Sequence, residues 1–268
     1  MSVRVLDALR QGFPEGRHEP IEKRVRASLG GEPVVDSTRA MVVWEPRRVV
    51  PSYAVPVEDV RAEVIPAPTA RGAGDPPQVL HPGIPFAAHT LVGEPVAIRA
   101  GGAEGEGFRP ADPALAGYVI LDFPSFEDWL EEDDPVRGHA RDPFHRIDVL
   151  PSSRSVRVEL DGRVLAESTE PLLLFETSLP VRAYLRRDDV RVELLRPSPT
   201  RSRCAYKGEA IYFSVEGAGP EGEDVAWCYE DPLPEVGPIV GRLAFFDERV
   251  DVLLDGVRRE RPVTAWSR

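Results

Sequence analysis

Residues 155–176 read SVRVELDGRVLAESTEPLLLFE, and their reading decides the fold. Val156, Val158 and Leu160 alternate with Ser155, Arg157 and Glu159, the period-two pattern of a half-buried strand. Asp161-Gly162 supplies the positive-φ pair of a tight hairpin turn, so Arg163–Glu167 returns as a second strand. Leu172–Glu176 makes a third, more fully buried strand. Residues 24–45 repeat the passage as RVRASLGGEPVVDSTRAMVVWE. Val25, Arg26, Gly31, Ser37, Thr38 and Glu45 fall opposite Val156, Arg157, Gly162, Ser168, Thr169 and Glu176 at one constant offset. After a one-residue slip, Asp59-Val60 falls opposite Asp189-Val190 and Glu63 opposite Glu193. Such self-similarity implies duplication of one structural unit.

Outward from this passage the pattern stays β. Strands are expected at Val181–Leu185, Arg191–Leu195, Glu209–Val215, Val225–Tyr229, Arg242–Phe246 and Val250–Leu254, with a further hairpin at Asp255-Gly256. In the first copy, Arg24–Leu29, Gly30-Gly31 and Pro33–Asp36 form the hairpin, Met41–Glu45 the third strand and Tyr118–Asp122 a late core strand. Gly93-Glu94 pairs with Gly208-Glu209 and Asp112-Pro113 with Asp231-Pro232. Pro66–Pro85 and Gly101–Gly107 read as loops. Ser125–Asp134 reads as a short helix capped by Ser125, and Leu6–Gln11 as a helical turn or two. The fold class is therefore all-β, in two tandem antiparallel domains over residues 20–135 and 154–258, joined by a polar linker at 136–153.

Composition sets the outer bounds. The chain has 268 residues, enough for two domains of ordinary size, and a hydrophobic share of 42%, enough for two cores. Its 28 prolines demand turns and short strands, because proline cannot donate to a sheet ladder. A formal charge of −12 without a basic patch argues against nucleic acid as a partner. No apolar run approaches the ~20 residues that span a bilayer, so no membrane partner is expected. Met1–Arg10 lacks the apolar stretch of a signal peptide, and two cysteines make no disulfide framework; a cytoplasmic setting follows. Oligomeric state is not written in the sequence.

Reactive and aromatic types gather in the second copy: Tyr184, Cys204, Tyr206, Lys207, Tyr212, Trp227, Cys228 and Tyr229. Lys207-Gly208 enters a strand, where glycine permits close backbone approach by a ligand and lysine offers a point charge. The first copy has Val92 opposite Lys207, no aromatic near Arg109–Ala111 opposite Ala226–Tyr229, and only Tyr53, one column early, for Tyr184. The second copy is thus expected to be the working unit. The competing reading is that the aromatics are core and Cys204 an inert thiol. His139, Asp142 and His145 fit no familiar ligand spacing, and no metal or cofactor is expected.

The ordered blocks GRVLAES, AYLRRDDV, CAYKGEAIYFSV, AWCYEDPLPEV and LAFFDERVDV, together with Glu176, resemble the domain-of-unknown-function 427 family. The resemblance spans about Arg154–Val257, and a diverged copy covers about Arg24–Asp134. It implies a β-tent-like fold, similar to methionine sulfoxide reductase B and the ligand-binding domain of cereblon, with two antiparallel sheets at an angle and a pocket between them. It maps Glu176, Tyr184, Asp189, Cys204, Lys207, Gly208, Tyr212, Trp227, Tyr229 and Pro232 onto the family pattern. Ala183, Arg186, Arg203 and Cys228 depart from it. Many β-tent proteins hold zinc with four cysteines, whereas this chain has two. The family carries a nucleotidyltransferase label, but no paired carboxylates beside a Gly-Ser are present to support metal-dependent transfer.

Three functions compete. The chain binds a small anionic or carbonyl-bearing ligand through Glu176, Tyr184, Lys207, Gly208, Tyr212, Trp227 and Tyr229. It is an enzyme using Cys204 or Lys207. Or it is an interaction module without a pocket.

Overall fold

A computed structural model describes residues 2, 13–68, 78–264 and 267. The helical turn expected at Leu6–Gln11 lies outside them. The chain divides into two compact units, Met1–Pro143 and Phe144–Arg268. The amino-terminal unit contains β1 (Arg17–Pro20), β2 (Val25–Leu29), β3 (Glu32–Ser37), β4 (Met41–Trp44), β5 (Ser52–Pro56), β6 (Glu63–Pro66), β7 (Gly93–Ala100), β8 (Ala103–Pro110), β9 (Tyr118–Leu121), β10 (Asp128–Glu131) and β11 (Asp134–Pro135). The carboxy-terminal unit contains β12 (Ile147–Pro151), β13 (Val156–Leu160), β14 (Arg163–Ser168), β15 (Leu172–Glu176), β16 (Arg182–Tyr184), β17 (Leu195–Cys204), β18 (Gly208–Val215), β19 (Ala226–Pro232), β20 (Leu243–Phe245), β21 (Asp251–Leu254) and β22 (Val257–Arg258). All pairings between these strands are antiparallel, and the fold is all-β.

Both units have the same strand order. The first builds a long sheet β1-β4-β5-β9-β8-β7-β6 and a short sheet β11-β10-β2-β3. The second builds β12-β15-β16 and β17-β18-β19-β20, joined through a Leu185–Leu243 bridge into the equivalent long sheet, and a short sheet β14-β13-β21-β22. The two-residue hairpins of the repeat turn on consecutive positive-φ residues, Gly30-Gly31 in the first unit and Asp161-Gly162 in the second, as do the hairpins at Gly101-Gly102 and Asp255-Gly256. The repeated Ser and Asp of the sequence are structural. Ser37 Oγ donates to Asp59 at 2.6 Å and Ser168 Oγ to Asp189 at 2.7 Å. Each serine also accepts the backbone N–H two residues on, so one side chain ties the end of a hairpin to a 3-10 turn.

The core of each unit lies between its two sheets. In the first, Val25, Ala27 and Leu29 of β2 pack with Val42, Tyr53, Val55, Ile98, Leu121 and Trp129. In the second, Val156, Val158 and Leu160 pack with Leu185, Phe213, Cys228, Leu243 and Phe245. The outer face of each long sheet carries a second cluster.

Several sequence expectations are corrected. Ser125–Asp134 is not a helix: a 3-10 turn at Phe123–Ser125 leads into β10, where Trp129 and Glu131 point inward and Asp128 outward. Pairing with β2 and burial of Trp129 override the local helical pattern. Arg191–Leu195 is a 3-10 turn at Val192–Leu194 that feeds β17. Gly101–Gly107 is a loop only at its first two residues. Gly105 and Gly107 lie in β8, where a Cβ at Gly107 would sit 2.8 Å from the Ile120 carbonyl. Residues 136–153 are more than a linker, because β12 lies within them and pairs with β15. No helix among the described residues is long and apolar enough to cross a membrane.

Candidate functional site

The outer face of the second long sheet gathers most of the residues singled out above. Leu172↔Tyr184, Tyr212↔Trp227 and Ala210↔Tyr229 are directly opposed pairs, so the period of two brings Tyr184, Tyr212, Trp227 and Tyr229 to one face. Cys228 takes the opposite face and is buried in the inter-sheet core, where burial pushes its thiol up. Trp227 Nε1 donates to Tyr184 Oη at 3.1 Å, and the two rings meet edge to face. Phe246 stacks with Tyr212 and tilts against Trp227 at 4.5 Å. The guanidinium of Arg182 lies 5.7 Å from the Trp227 ring and is held by Glu248 at 2.6 Å.

The polar centre is Glu176 with Lys207. Lys207 Nζ donates to Glu176 Oε2, and His145 Nε2 lies 3.1 Å from Glu176 Oε1 while its ring stacks on Tyr206. Both members of the ion pair are nearly sealed from solvent, with side chains 11% and 6% exposed. Burial favours the neutral acid, but the hydrogen bond from His145 and the charge of Lys207 outweigh it and bring Glu176 down to about 2. Burial likewise opposes the ammonium, yet Cys204, Glu176 and Tyr184 hold the Lys207 proton above the ordinary lysine range. Desolvation pushes Tyr184 up to about 12 and holds Tyr229 well above the ordinary tyrosine range. Cys204 ends β17 directly opposite Gly208, the residue after Lys207, and is partly exposed. With Tyr206, Tyr212 and His145 it forms the partly exposed part of the cluster.

Gly208 has φ +96° and opens a bulged strand. A Cβ there would lie 3.1 Å from the Asp231 carbonyl, so the backbone that approaches it is the chain's own β19. Sequence reasoning weighed His145 only as a metal ligand beside His139 and Asp142 and missed it as a member of this site. Its partner Glu176 lies thirty-one positions away, and only strand pairing of β12 with β15 brings them together. Arg182, Phe246 and Glu248 were also missed: Phe246 read only as the end of a strand, and the burial of Arg182 and Glu248 depends on their pairing sixty-six positions apart.

The amino-terminal unit did not lose its polar cluster, contrary to the sequence reading. Glu45, counterpart of Glu176, is buried and accepts from the backbone N–H of Thr90 at 2.6 Å and of Leu91 at 3.1 Å. His89 Nδ1 lies 2.8 Å from Glu45 and its Nε2 3.4 Å from buried Asp122. Burial alone would strip the His89 proton, but Asp122 and Glu45 outweigh it and raise the imidazole to about 9. The ring stacks on Phe108 at 4.2 Å. Phe108 pairs with Ile120 as Trp227 pairs with Ala244, so the first unit keeps an aromatic at the tryptophan position. Beside them Arg48 is fully buried, donating to the carbonyls of Pro85 and Ala88. The expectation failed because a histidine from the preceding loop does in one unit what a lysine does in the other.

Among the described residues no group of three or more His, Cys, Asp or Glu side chains is arranged to hold a metal ion. Residues 148–256 match the family model described as domain of unknown function (DUF427), so the carboxy-terminal unit carries that domain. No curated protein matches the chain.

Proposed function

We propose that the carboxy-terminal unit binds a small anionic or carbonyl-bearing molecule on the outer face of its long sheet. The observation behind this reading is a lysine buried against a buried carboxylate, with His145 joining that carboxylate to partly exposed Tyr206. A buried ion pair is rarely retained for stability alone, since apolar residues of the same volume often serve as well or better. Lys207 keeps two further N–H donors for a ligand oxygen, while Tyr212 supplies contact area. Because Glu176 already balances its charge, a carbonyl oxygen suits the site better than a full anion.

The test is a thermal-shift screen of carbonyl-bearing and anionic metabolites on the wild-type chain, Lys207→Met and Tyr212→Phe. A stabilisation in the wild type that Lys207→Met abolishes is the expected result. Equal shifts in wild type and Lys207→Met would refute the reading. Use of Lys207 as a nucleophile is disfavoured, because an amine must shed its proton to attack and this one is held firmly. A second reading makes Cys204 the nucleophile, on the ground that it is partly exposed and pairs across the hairpin with Gly208, the neighbour of Lys207. Iodoacetamide labelling no faster than that of a free peptide thiol would remove it. The two unpaired cysteines support a cytoplasmic setting as part of the same proposal.

A further inference from the structure

The two units share a strand order but fill the space between their sheets differently. In the first, Tyr53 and Trp129 meet at 5.2 Å, Phe123 stacks on Trp129 at 5.1 Å, and Tyr53 Oη donates to buried Glu131 at 2.8 Å. Strand register identifies the matching positions in the second. Val42↔Tyr53 corresponds to Leu173↔Ala183, and Ala27↔Trp129 corresponds to Val158↔Val252. Val25↔Glu131 corresponds to Val156↔Leu254, and the residue two beyond the last paired position of β9 or β20 is Phe123 in one unit and Asp247 in the other. Tyrosine has become alanine, tryptophan valine, and phenylalanine aspartate.

The volume given up is not recovered by collapse. A cavity of about 150 Å³ lies at these positions, lined by Leu173, Ala183, Val252 and Leu254, with Asp247, Arg154 and Arg259 also on its wall. A space of this size has room for a benzene-sized ring, and it opens to solvent beside exposed Phe175 and Arg259. The polar side of the wall is not neutral in its effect. Asp247 faces Arg182 at 3.3 Å, and Arg154 is bonded to Asp255 at 2.7 Å, so each has a partner of opposite sign. Arg259 is exposed; its charge bears on Asp247 of the same wall, and its planar guanidinium has further N–H donors that match a carboxylate.

We propose that this inter-sheet hollow is a binding site distinct from the Lys207 face, taking one small aromatic ring with its carboxylate held by Arg259. The amino-terminal unit occupies the same place with its own Tyr53 and Trp129 rings and so has no room for a ligand there. This inference does not depend on the reading of the Lys207 face.

The experiment is a titration of the full chain, with labelled Leu and Val methyl groups, against benzoate, benzyl alcohol and benzylamine by NMR. Benzoate is expected to saturate in the millimolar range and to shift the methyls of Leu173, Val252 and Leu254. Arg259→Gln should weaken benzoate about tenfold while leaving benzyl alcohol unchanged, the effect of one lost charge-assisted contact. Val252→Trp, which restores the amino-terminal filling, should abolish binding; if it fails to fold, Ala183→Leu fills the same hollow and should abolish binding in its place. The proposal is overturned by shifts confined to other methyls or absent altogether, by benzylamine binding as tightly as benzoate, or by a folded filled variant that binds like the wild type.

Discussion

Replacing Lys207 with methionine removes the ammonium from a carboxylate whose side chain is otherwise met only by His145 among the described residues. Breaking a buried pair from one side leaves an uncompensated charge and costs about 3–5 kcal/mol. Hydrogen exchange of peptides from β15, β18 and β19 reads the carboxy-terminal unit by itself. That cost corresponds to protection reduced by roughly 150- to 5,000-fold. The double variant Glu176→Gln, Lys207→Met removes both charges, and it should recover most of the loss. The same pair sets an acid limit. Glu176 is depressed from 4.5 to about 2, so its contribution is present above pH 4.5 and fades as pH falls through 2. The loss over that window is on the order of 3 kcal/mol, and Lys207→Met should shrink it. A single variant that changes protection less than about fivefold, or a double variant as damaged as the sum of the singles, would refute a charge-paired centre.

Two further outcomes are expected in the amino-terminal unit. His89 is raised from 6.5 to about 9, so its stabilisation is complete below pH 6.5 and disappears as pH rises through 9. The loss is on the order of 3 kcal/mol, and exchange of β4 and β8 measured in parallel on His89→Gln, which should be insensitive over this range, checks it. Tyr53→Phe keeps the ring contacts but strips the 2.8 Å hydrogen bond from buried Glu131. It should cost about 1–3 kcal/mol in exchange of β10, and an unchanged β10 would show that Glu131 is satisfied without the tyrosine.

Alternation and turn pairs made the strands readable. Val156, Val158 and Leu160 ahead of Asp161-Gly162, and Val25, Ala27 and Leu29 ahead of Gly30-Gly31, are local signals that no distant contact had to rescue. The face shared by Tyr212 and Trp227 was legible for the same reason, since period two fixes which side chains lie together once the strand is known. Trp129 shows the limit: Ser125–Asp134 has a helical composition locally, and only the partner strand β2 makes it extended.

The sequence by itself determined the class of fold, the hairpins, the recurrence of one motif, and a lysine-aromatic concentration in the second half. Each of these depends on residues close in the chain or on strict periodicity. Only the tertiary structure decided what neutralises Lys207, that His89 and Asp122 equip the first unit too, and that Ala183 and Val252 leave a hollow where Tyr53 and Trp129 fill one. Those outcomes rest on pairs far apart in sequence. Charge compensation and volume are properties of the packed interior, and no short window of residues contains them.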